Sequence, residues 1–195
     1  DTKEFYQYGM YLGGRYNTLM ECNSFSRPSR SCVGDFYGIY FTTQKNTSCI
    51  VTKNKISNPF GGATTSTNNF YGINFSNSDG VVGTENYVTN NIIYNINGEG
   101  AVTGISNTSS DHAYYFHNTI SLDNTAAASA QTTRGFYQTT AAAGLYFYNN
   151  IVSITRGGSG QKHGIYLNTG LIAGVDYNVY YVNSAGGANS IGYYT

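Results

Sequence analysis

A short phrase recurs seven times along the chain: one aromatic or polar residue, a glycine, and then alternating apolar residues. Its glycines are Gly9, Gly38, Gly72, Gly104, Gly135, Gly164 and Gly192. Successive glycines are 28 to 34 residues apart, so loops of different lengths join elements of constant length. A repeat of this period is typical of solenoid proteins, in which each repeat buries its apolar face only against its neighbours.

A second landmark, an asparagine followed by β-type residues, comes 14 to 19 residues after each of the first six glycines. These asparagines are Asn23, Asn54, Asn91, Asn118, Asn150 and Asn178. Apolar residues stand three positions before each asparagine and two positions after it. Alternate residues of a strand face opposite sides, so two buried positions five residues apart require a bend between them. We expect the bend at the asparagine, because asparagine tolerates the left-handed conformation.

The two landmarks predict three short strands in each repeat. The residues one and three positions after each glycine are mostly apolar and should face inward, and strand parity places the residue before the glycine on the same inward face. A β-sandwich or barrel would need hairpin signals between neighbouring strands, which the repeat lacks. The sequence therefore predicts an all-β fold, a parallel β-helix of about six coils with three short strands each. At roughly 4.8 Å per coil it would form a rod about 29 Å long.

The repeats span residues 1–195, which we expect to form a single β-helix domain. Neither end shows the polar cap that a terminal repeat needs for solubility. We therefore expect a segment of a longer repeat protein, or a rod that associates with itself end to end.

The charge content excludes several classes of partner. Only 10% of the 195 residues are charged, and ten Lys and Arg balance ten Asp and Glu. Phosphate binding needs clustered excess Lys and Arg, so we expect no nucleic-acid partner. No apolar run approaches the roughly 18 residues of a membrane-spanning helix, so we expect no membrane insertion.

Four phrases in the last third of the chain carry a resemblance to a known group: TTRGFYQTT, NNIVSITRGGSG, KHGIYLNTG and DYNVYY, within residues 132–181. With these phrases, the chain resembles the β-helix repeat regions, pectate-lyase-like in fold, of large secreted or cell-surface bacterial proteins, especially those of the phylum that uses type IX secretion. The resemblance covers nearly the whole chain. It implies a right-handed coil and a secreted or cell-surface location, and most such regions have no assigned activity.

Polysaccharide-active enzymes of this shape hold calcium in acidic clusters or use paired carboxylates. The ten carboxylates here are dispersed, although Asp79 and Asp111 could be neighbours on one rim. Arg134 and His163 precede the glycine in consecutive coils, where they could bind an acidic sugar or have a structural role at the strand ends. The sequence has no HxH, HExxH or CxxC motif. We therefore expect no metal site and no cofactor, and we assign no catalytic residue.

Three cysteines, Cys22, Cys32 and Cys49, lie in the first quarter of the chain. An odd number leaves at least one thiol unpaired unless its partner lies outside this segment. In an exported protein, a disulfide between Cys22 and Cys32 would close a loop at the first coil; three small buried side chains are the alternative.

Outward columns carry many of the tyrosines. Two residues after the glycines stand Tyr11, Tyr40, Asn74, Ser106, Tyr137, Tyr166 and Tyr194, and three residues after the asparagines stand Tyr94 and Tyr181 among serines. Tyrosine rings on a flat sheet can stack against sugar faces while their hydroxyls form hydrogen bonds. We name Tyr11, Tyr40, Tyr137, Tyr166 and Tyr181 as candidate binding residues for a polysaccharide or a neighbouring protein surface. The alternative is cross-strand packing that stabilises the sheet.

The asparagines of the second landmark are assigned to stability rather than to binding. Stacked side-chain amides at the corner of a solenoid can hydrogen-bond to one another along the rod. The predicted ladder consists of Asn54, Asn91, Asn118, Asn150 and Asn178.

The leading functional hypothesis is a non-catalytic, extracellular structural or adhesive module that binds neutral glycans through its tyrosine columns. One alternative is a polysaccharide lyase or glycoside hydrolase domain that acts on a cell-wall or plant polysaccharide. Another is the subunit of a self-assembling filament.

Overall fold

The computed structural model describes residues 4–31, 33–42, 45–169 and 172–195, which form three parallel sheets. In spatial order, the first sheet contains β1 (Tyr8–Leu12), β4 (Phe36–Thr42), β7 (Phe70–Ser76), β10 (Val102–Thr108), β13 (Thr133–Gln138), β16 (Lys162–Leu167) and β19 (Asn189–Tyr194). The second contains β2 (Leu19–Glu21), β5 (Ile50–Thr52), β8 (Asn86–Thr89), β11 (Ala113–Phe116), β14 (Tyr146–Tyr148) and β17 (Gly174–Asp176). The third contains β3 (Ser24–Phe25), β6 (Lys55–Ile56), β9 (Ile92–Ile93), β12 (Thr119–Leu122), β15 (Ile151–Ile154) and β18 (Val179–Val182).

Each turn of the coil contributes one strand to each sheet in succession, so β1, β2 and β3 form turn 1 and the later turns stack on it. Ile39 lies opposite Met10 on one side and Ile73 on the other, and Ile73 lies opposite Ile105. The predicted all-β solenoid, with about six turns and three strands per turn, is confirmed. The described residues contain no helix, and so none that could cross a membrane.

The inward side chains of the three sheets form one apolar core. Like residues stack on like residues in successive turns: the rings of Phe41 and Phe75 are fully buried, with centroids 4.4 Å apart. Burying one such side chain stabilises the fold by about 1.5–3 kcal/mol. Asn107, a polar residue in this core, donates from Nδ2 to the Tyr115 hydroxyl at 3.0 Å, so its amide is not stranded among apolar groups.

The recurring glycine allows the first and third strands of a turn to approach closely. A β-carbon on Gly72 would lie 2.4 Å from the carbonyl oxygen of Gly104 and 2.6 Å from Cδ1 of Ile93. Any side chain there would collide with the next turn and with the third strand of its own turn.

The seventh strand of the first sheet is shifted by one residue from the predicted alignment. Gly192 lies opposite Ile165, so Tyr193, and not Tyr194, continues the column beyond Tyr166. A β-carbon on Gly192 would meet only Ile165, 3.6 Å away. In this register the rings of Tyr166 and Tyr193 stack at 4.8 Å.

The residue before each glycine faces outward, and the prediction of an inward face is wrong. In β4, Gly38 and Ile39 are both buried, whereas Tyr37 and Tyr40 lie on the outer face with ring centroids 5.1 Å apart. The strict alternation therefore breaks at the glycine, which needs no side-chain space on either face.

The bend before the third strand is made by the residue that precedes the asparagine, and not by the asparagine itself as predicted. Six residues there have a positive φ of 54° to 58°: Cys22, Lys53, Asn90, His117, Asn149 and Tyr177. All six side chains are exposed. The left-handed conformation costs a non-glycine residue about 1–2 kcal/mol, and it turns the following asparagine inward, where the amide can form hydrogen bonds.

Candidate ligand-binding cleft

The outer face of the first sheet carries two adjacent columns of side chains, which we call the tyrosine face. The first column contains Tyr8, Tyr37, Tyr71, Thr103, Arg134, His163 and Ser190. The second contains Tyr11, Tyr40, Asn74, Ser106, Tyr137, Tyr166 and Tyr193. The columns touch each other because of the broken alternation at the glycine.

The structure brings four of the five candidate binding residues together on this face: Tyr11, Tyr40, Tyr137 and Tyr166. Tyr181 lies elsewhere, in β18 opposite Ser153 on the third sheet. One small ligand therefore cannot contact all five side chains. The binding role of each stays a prediction.

A cleft of about 180 Å³ opens where the second column has no tyrosine. Tyr37, Tyr40 and Tyr71 line it on one side and Tyr137 on the other. Between them the column holds Asn74 and Ser106, whose short side chains leave the gap. Because Tyr40 and Tyr137 are three turns apart, roughly 14 Å separates their backbones at about 4.8 Å per turn.

The floor of the cleft is polar and held in place. Ser106 Oγ donates a hydrogen bond to Asn74 Oδ1, and both side chains are buried. Among the described residues, Nδ2 of Asn74 has no hydrogen-bond partner in the protein and is not enclosed. At the rim, the hydroxyl of Thr139 donates to that of Thr108 at 2.7 Å. The cleft therefore offers a free amide donor between aromatic walls.

The tyrosine walls are ordered by ring stacking and stay protonated. The rings of Tyr37 and Tyr71 are nearly parallel, 4.7 Å apart with planes 6° from each other. Burial raises the pKa of both hydroxyls above the ordinary value of 10, and nearby groups, Asp35 among them, raise it further. The hydroxyls are therefore neutral near pH 7 and can both donate and accept hydrogen bonds.

Arg134 and His163 adjoin the cleft on the far side of Tyr137. The Arg134 guanidinium carbon lies 4.3 Å from the ring centroid of Tyr137 and 4.9 Å from that of Tyr166. These distances are those of a cation–π contact. His163 lies opposite Arg134 in the next strand, with its ring 5.0 Å from that of Tyr166. Burial, with the neighbouring charge of Arg134, lowers the pKa of His163 below 6.5.

The asparagine column forms a continuous set of hydrogen bonds. Asn54 donates to Oδ1 of Asn91 from its backbone nitrogen at 3.0 Å and from Nδ2 at 2.9 Å. Asn118 donates to Asn150 in the same way, at 2.9 and 3.0 Å. The other Nδ2 hydrogen returns to the preceding turn, as from Asn118 to the carbonyl of Val88 at 2.8 Å. The same pattern includes Asn23 and Asn178. These amides are saturated, and their contribution to stability stays a prediction.

A second aromatic surface, which the sequence analysis missed, lies on the outer face of the second sheet. Its rings belong to Tyr87, Tyr114, Phe116, Tyr146, Tyr148 and Tyr177, with neighbouring centroids 5.1 to 6.4 Å apart. Most of these residues stand two or four positions before the asparagines, so the parity argument that placed the inward residues could have found them.

The carboxylates and thiols form no reactive cluster among the described residues. Asp79 Oδ1 accepts the backbone N–H of Asp111 at 3.1 Å, so these two carboxylates are neighbours that bind backbone groups of the following turn. No group of three His, Cys, Asp or Glu in the described part of the chain is placed to hold a metal ion. Cys22 is exposed and Cys49 buried, both as free thiols, and Cys32 lies outside the described residues.

Comparison of the chain with protein-family models, with curated proteins and with solved structures gives no match. The resemblance to bacterial surface β-helices therefore enters below as part of a proposal.

Proposed function

We propose that the chain is a non-catalytic solenoid module that binds a glycan in the cleft of the tyrosine face. The observation that carries the proposal is the gap at Asn74 and Ser106, which sets a polar floor between the rings of Tyr40 and Tyr137. A sugar ring has an apolar C–H face and a hydroxyl edge. Tyrosine walls suit the first and a free amide donor suits the second.

The cleft, of about 180 Å³, lies within a longer row of aromatic side chains. Tyr11 and Tyr166 continue the second column beyond Tyr40 and Tyr137, so a longer glycan could extend over them on the same face.

Binding is favoured over hydrolysis by the residues that line the cleft. Glycoside hydrolases use two carboxyl groups that flank the scissile bond, and none of the lining residues is Asp or Glu. A polysaccharide lyase or hydrolase activity stays the alternative. Product release from the polymers used below, measured with and without calcium, tests it.

A secreted or cell-surface location belongs to the same proposal. It is supported by the resemblance to β-helix regions of surface proteins from bacteria that use type IX secretion. Labelling of intact source cells with an antibody against the chain tests the location.

Self-association of the rod also stays a prediction. Light scattering measured as a function of protein concentration tests it.

The binding test uses affinity electrophoresis through gels that contain xyloglucan, galactomannan, arabinoxylan, polygalacturonate or alginate. We expect retardation by at least one polymer, and a loss of about tenfold in affinity for Tyr40→Ala and for Tyr137→Ala. Tyr16→Ala is the matched control, because Tyr16 is 64% exposed and lies outside the tyrosine face. Free migration of the wild-type chain in all five gels would reject the proposal. An equal loss of affinity in all three variants would show that the glycan does not bind in the cleft.

A further inference from the structure

We propose that Arg134 and His163 form an anion subsite next to Tyr137, so that the glycan held by the cleft carries a carboxylate or a sulfate ester. This inference rests on the proposed function and replaces a neutral ligand by an acidic one.

Arg134 is a half-buried cation whose donors are mostly unused. Its Nη1 donates to Thr132 Oγ1 at 3.0 Å, which is its one hydrogen bond among the described residues. Its Nε is enclosed by protein and has no partner. No carboxylate forms an ion pair with it in the described part of the chain. An enclosed N–H ordinarily has a partner, so the unpartnered Nε is costly, and the part of the guanidinium that reaches solvent is available to a ligand.

Another buried arginine of the chain shows how such a cation is normally accommodated. Arg27 donates to three backbone carbonyls: from Nε to Pro59 at 2.8 Å, from Nη2 to Gly34 at 3.1 Å, and from Nη1 to Tyr6. Its guanidinium also lies 4.8 Å from the ring centroid of Phe36. Arg134 has the aromatic contact but not the carbonyl acceptors. The missing acceptors are those that an anionic oxygen would supply.

His163 supplies a second unpartnered nitrogen in the neighbouring strand. The side chain is only 3% exposed, and its Nδ1 is buried without a hydrogen-bond partner. Its Nε2 lies 3.4 Å from Gln161 Oε1. Because Arg134 and His163 are register partners, their backbones are about 4.8 Å apart. With its proton on Nδ1, His163 could donate to one oxygen of a carboxylate or sulfate while Arg134 donates to another.

The positive charge acts on the cleft itself. Arg134 opposes the rise in the pKa of the Tyr71 hydroxyl, which is a wall of the cleft two turns away. The carboxylate of Asp35 acts on Tyr37 and Tyr71 at the other end of the cleft, so a ring bound between Tyr71 and Tyr137 would have the cation at its Tyr137 end only. The geometry therefore selects for an acidic substituent that points toward Arg134.

The test compares each acidic polymer with the same polymer after its anionic group has been removed. Polygalacturonate and alginate are paired with their carboxyl-reduced forms, and carrageenan is paired with its desulfated form. We expect the wild-type chain to bind at least one acidic member about tenfold more tightly than its neutral partner, with a preference that declines as salt is raised. If the preference is confined to the uronate pairs, the bound group is a carboxylate. If it is confined to carrageenan, the bound group is a sulfate ester.

Arg134→Gln should abolish this preference; because Arg134 also contacts the ring of Tyr137, the readout is the ratio of acidic to neutral binding and not the binding of either polymer alone. Arg134→Lys, which retains the charge without the planar fork, should retain part of it. Lys55→Gln is the control, because Lys55 is an exposed cation on the third sheet. Equal binding of acidic and neutral polymers, or an equal effect of Lys55→Gln, would overturn the inference and leave glycan binding in place. Failure of the wild-type chain to bind any polymer would overturn both. If Arg134→Gln does not fold, the wild-type pairs and Arg134→Lys decide the question.

Discussion

Oδ1 of Asn118 accepts two hydrogen bonds from Asn91, one from the backbone nitrogen and one from Nδ2, both at 3.0 Å. The two residues lie in successive turns and are both buried. Replacing Asn118 by Leu would leave two donors of Asn91 without partners and remove the amide that donates to the carbonyl of Val88, whereas Oδ1 of Asn150 would keep the backbone N–H of residue 118.

We therefore expect Asn118→Leu to lower the free energy of unfolding by about 3–5 kcal/mol, at about 1–3 kcal/mol for each stranded group. Urea denaturation followed by circular dichroism measures it. Asn183→Leu is the control, since Asn183 is exposed and lies outside the ladder. An unchanged unfolding midpoint for Asn118→Leu would show that the amides do not stabilise the coil.

Gly72→Ala should destabilise the solenoid by several kcal/mol, because the added methyl group would overlap a backbone carbonyl that cannot move independently of its strand. Gly192→Ala has an ordinary contact distance of 3.6 Å and should change stability by less than about 1 kcal/mol. The difference between the two melting temperatures checks the close approach of the first and third strands. Equal melting temperatures would contradict it.

Ser106→Tyr should fill the cleft without unfolding the chain. A ring at this position would continue the column between Asn74 and Tyr137, where side chains already point outward. We expect a stability within about 1 kcal/mol of the wild type and a loss of glycan retardation. Retention of binding in a folded Ser106→Tyr variant would place the ligand elsewhere, with the aromatic surface of the second sheet as the next candidate.

His163 should make the fold sensitive to mild acid. Its pKa is lowered in the folded state by burial and by Arg134, so below about pH 6.5 the unfolded chain binds a proton that the folded chain resists. The stability that comes from keeping His163 neutral in the folded state is fully present above pH 6.5. It is lost as the pH falls through the lowered pKa of the folded state. His163 faces Arg134 on β13, Tyr166 on its own strand and Tyr193 on β19, and of these Arg134 carries the charge.

Melting temperatures of the wild type and of His163→Gln between pH 7.5 and pH 4.5 measure the effect. The wild type should lose more stability over this range. Carboxylates such as Glu4 and Glu85, whose pKa values are lowered by hydrogen bonds, contribute equally to both proteins and cancel in the comparison. Parallel profiles would mean that His163 has the same pKa in the folded and unfolded states.

The thiols should differ in reactivity. Cys22 is exposed at a corner, whereas Cys49 is fully buried and its burial raises the pKa of the thiol. Iodoacetamide at pH 8 should modify Cys22 in the native protein and Cys49 only after unfolding, because the thiolate is the reactive form. Peptide mapping by mass spectrometry identifies the modified residue. Rapid native modification of Cys49 would contradict its position in the core.

The stacking of the turns was predictable from the sequence because it depends on repetition. Ile39, Ile73 and Ile105 recur at one position of one phrase, and only a parallel coil places them in register. Side-chain direction at the glycine was not predictable in the same way. Because glycine has no side chain, the sequence does not show that the alternation of inward and outward residues breaks there. The outward orientation of Arg134 and His163 is therefore evident only from the structure.

The cleft, too, was predictable only in part from the sequence. Asn74 and Ser106 stand out in the sequence as exceptions in a tyrosine column, yet the depth of the gap depends on how Tyr37 and Tyr71 pack beside it. Those two rings belong to the column that parity had placed inside. The bend residue was missed because six residues of five different types, from Cys22 to Tyr177, share one backbone conformation.

Along the asparagine column each side-chain oxygen accepts from the asparagine of the preceding turn, and this common direction gives the rod a mechanical polarity. A pulling force applied along the rod would act on the hydrogen bonds of one terminal turn at a time. The turns should therefore unfold one after another at a nearly constant force. Optical-tweezer traces would then display a staircase with steps of about thirty residues, each the contour length of a single repeat.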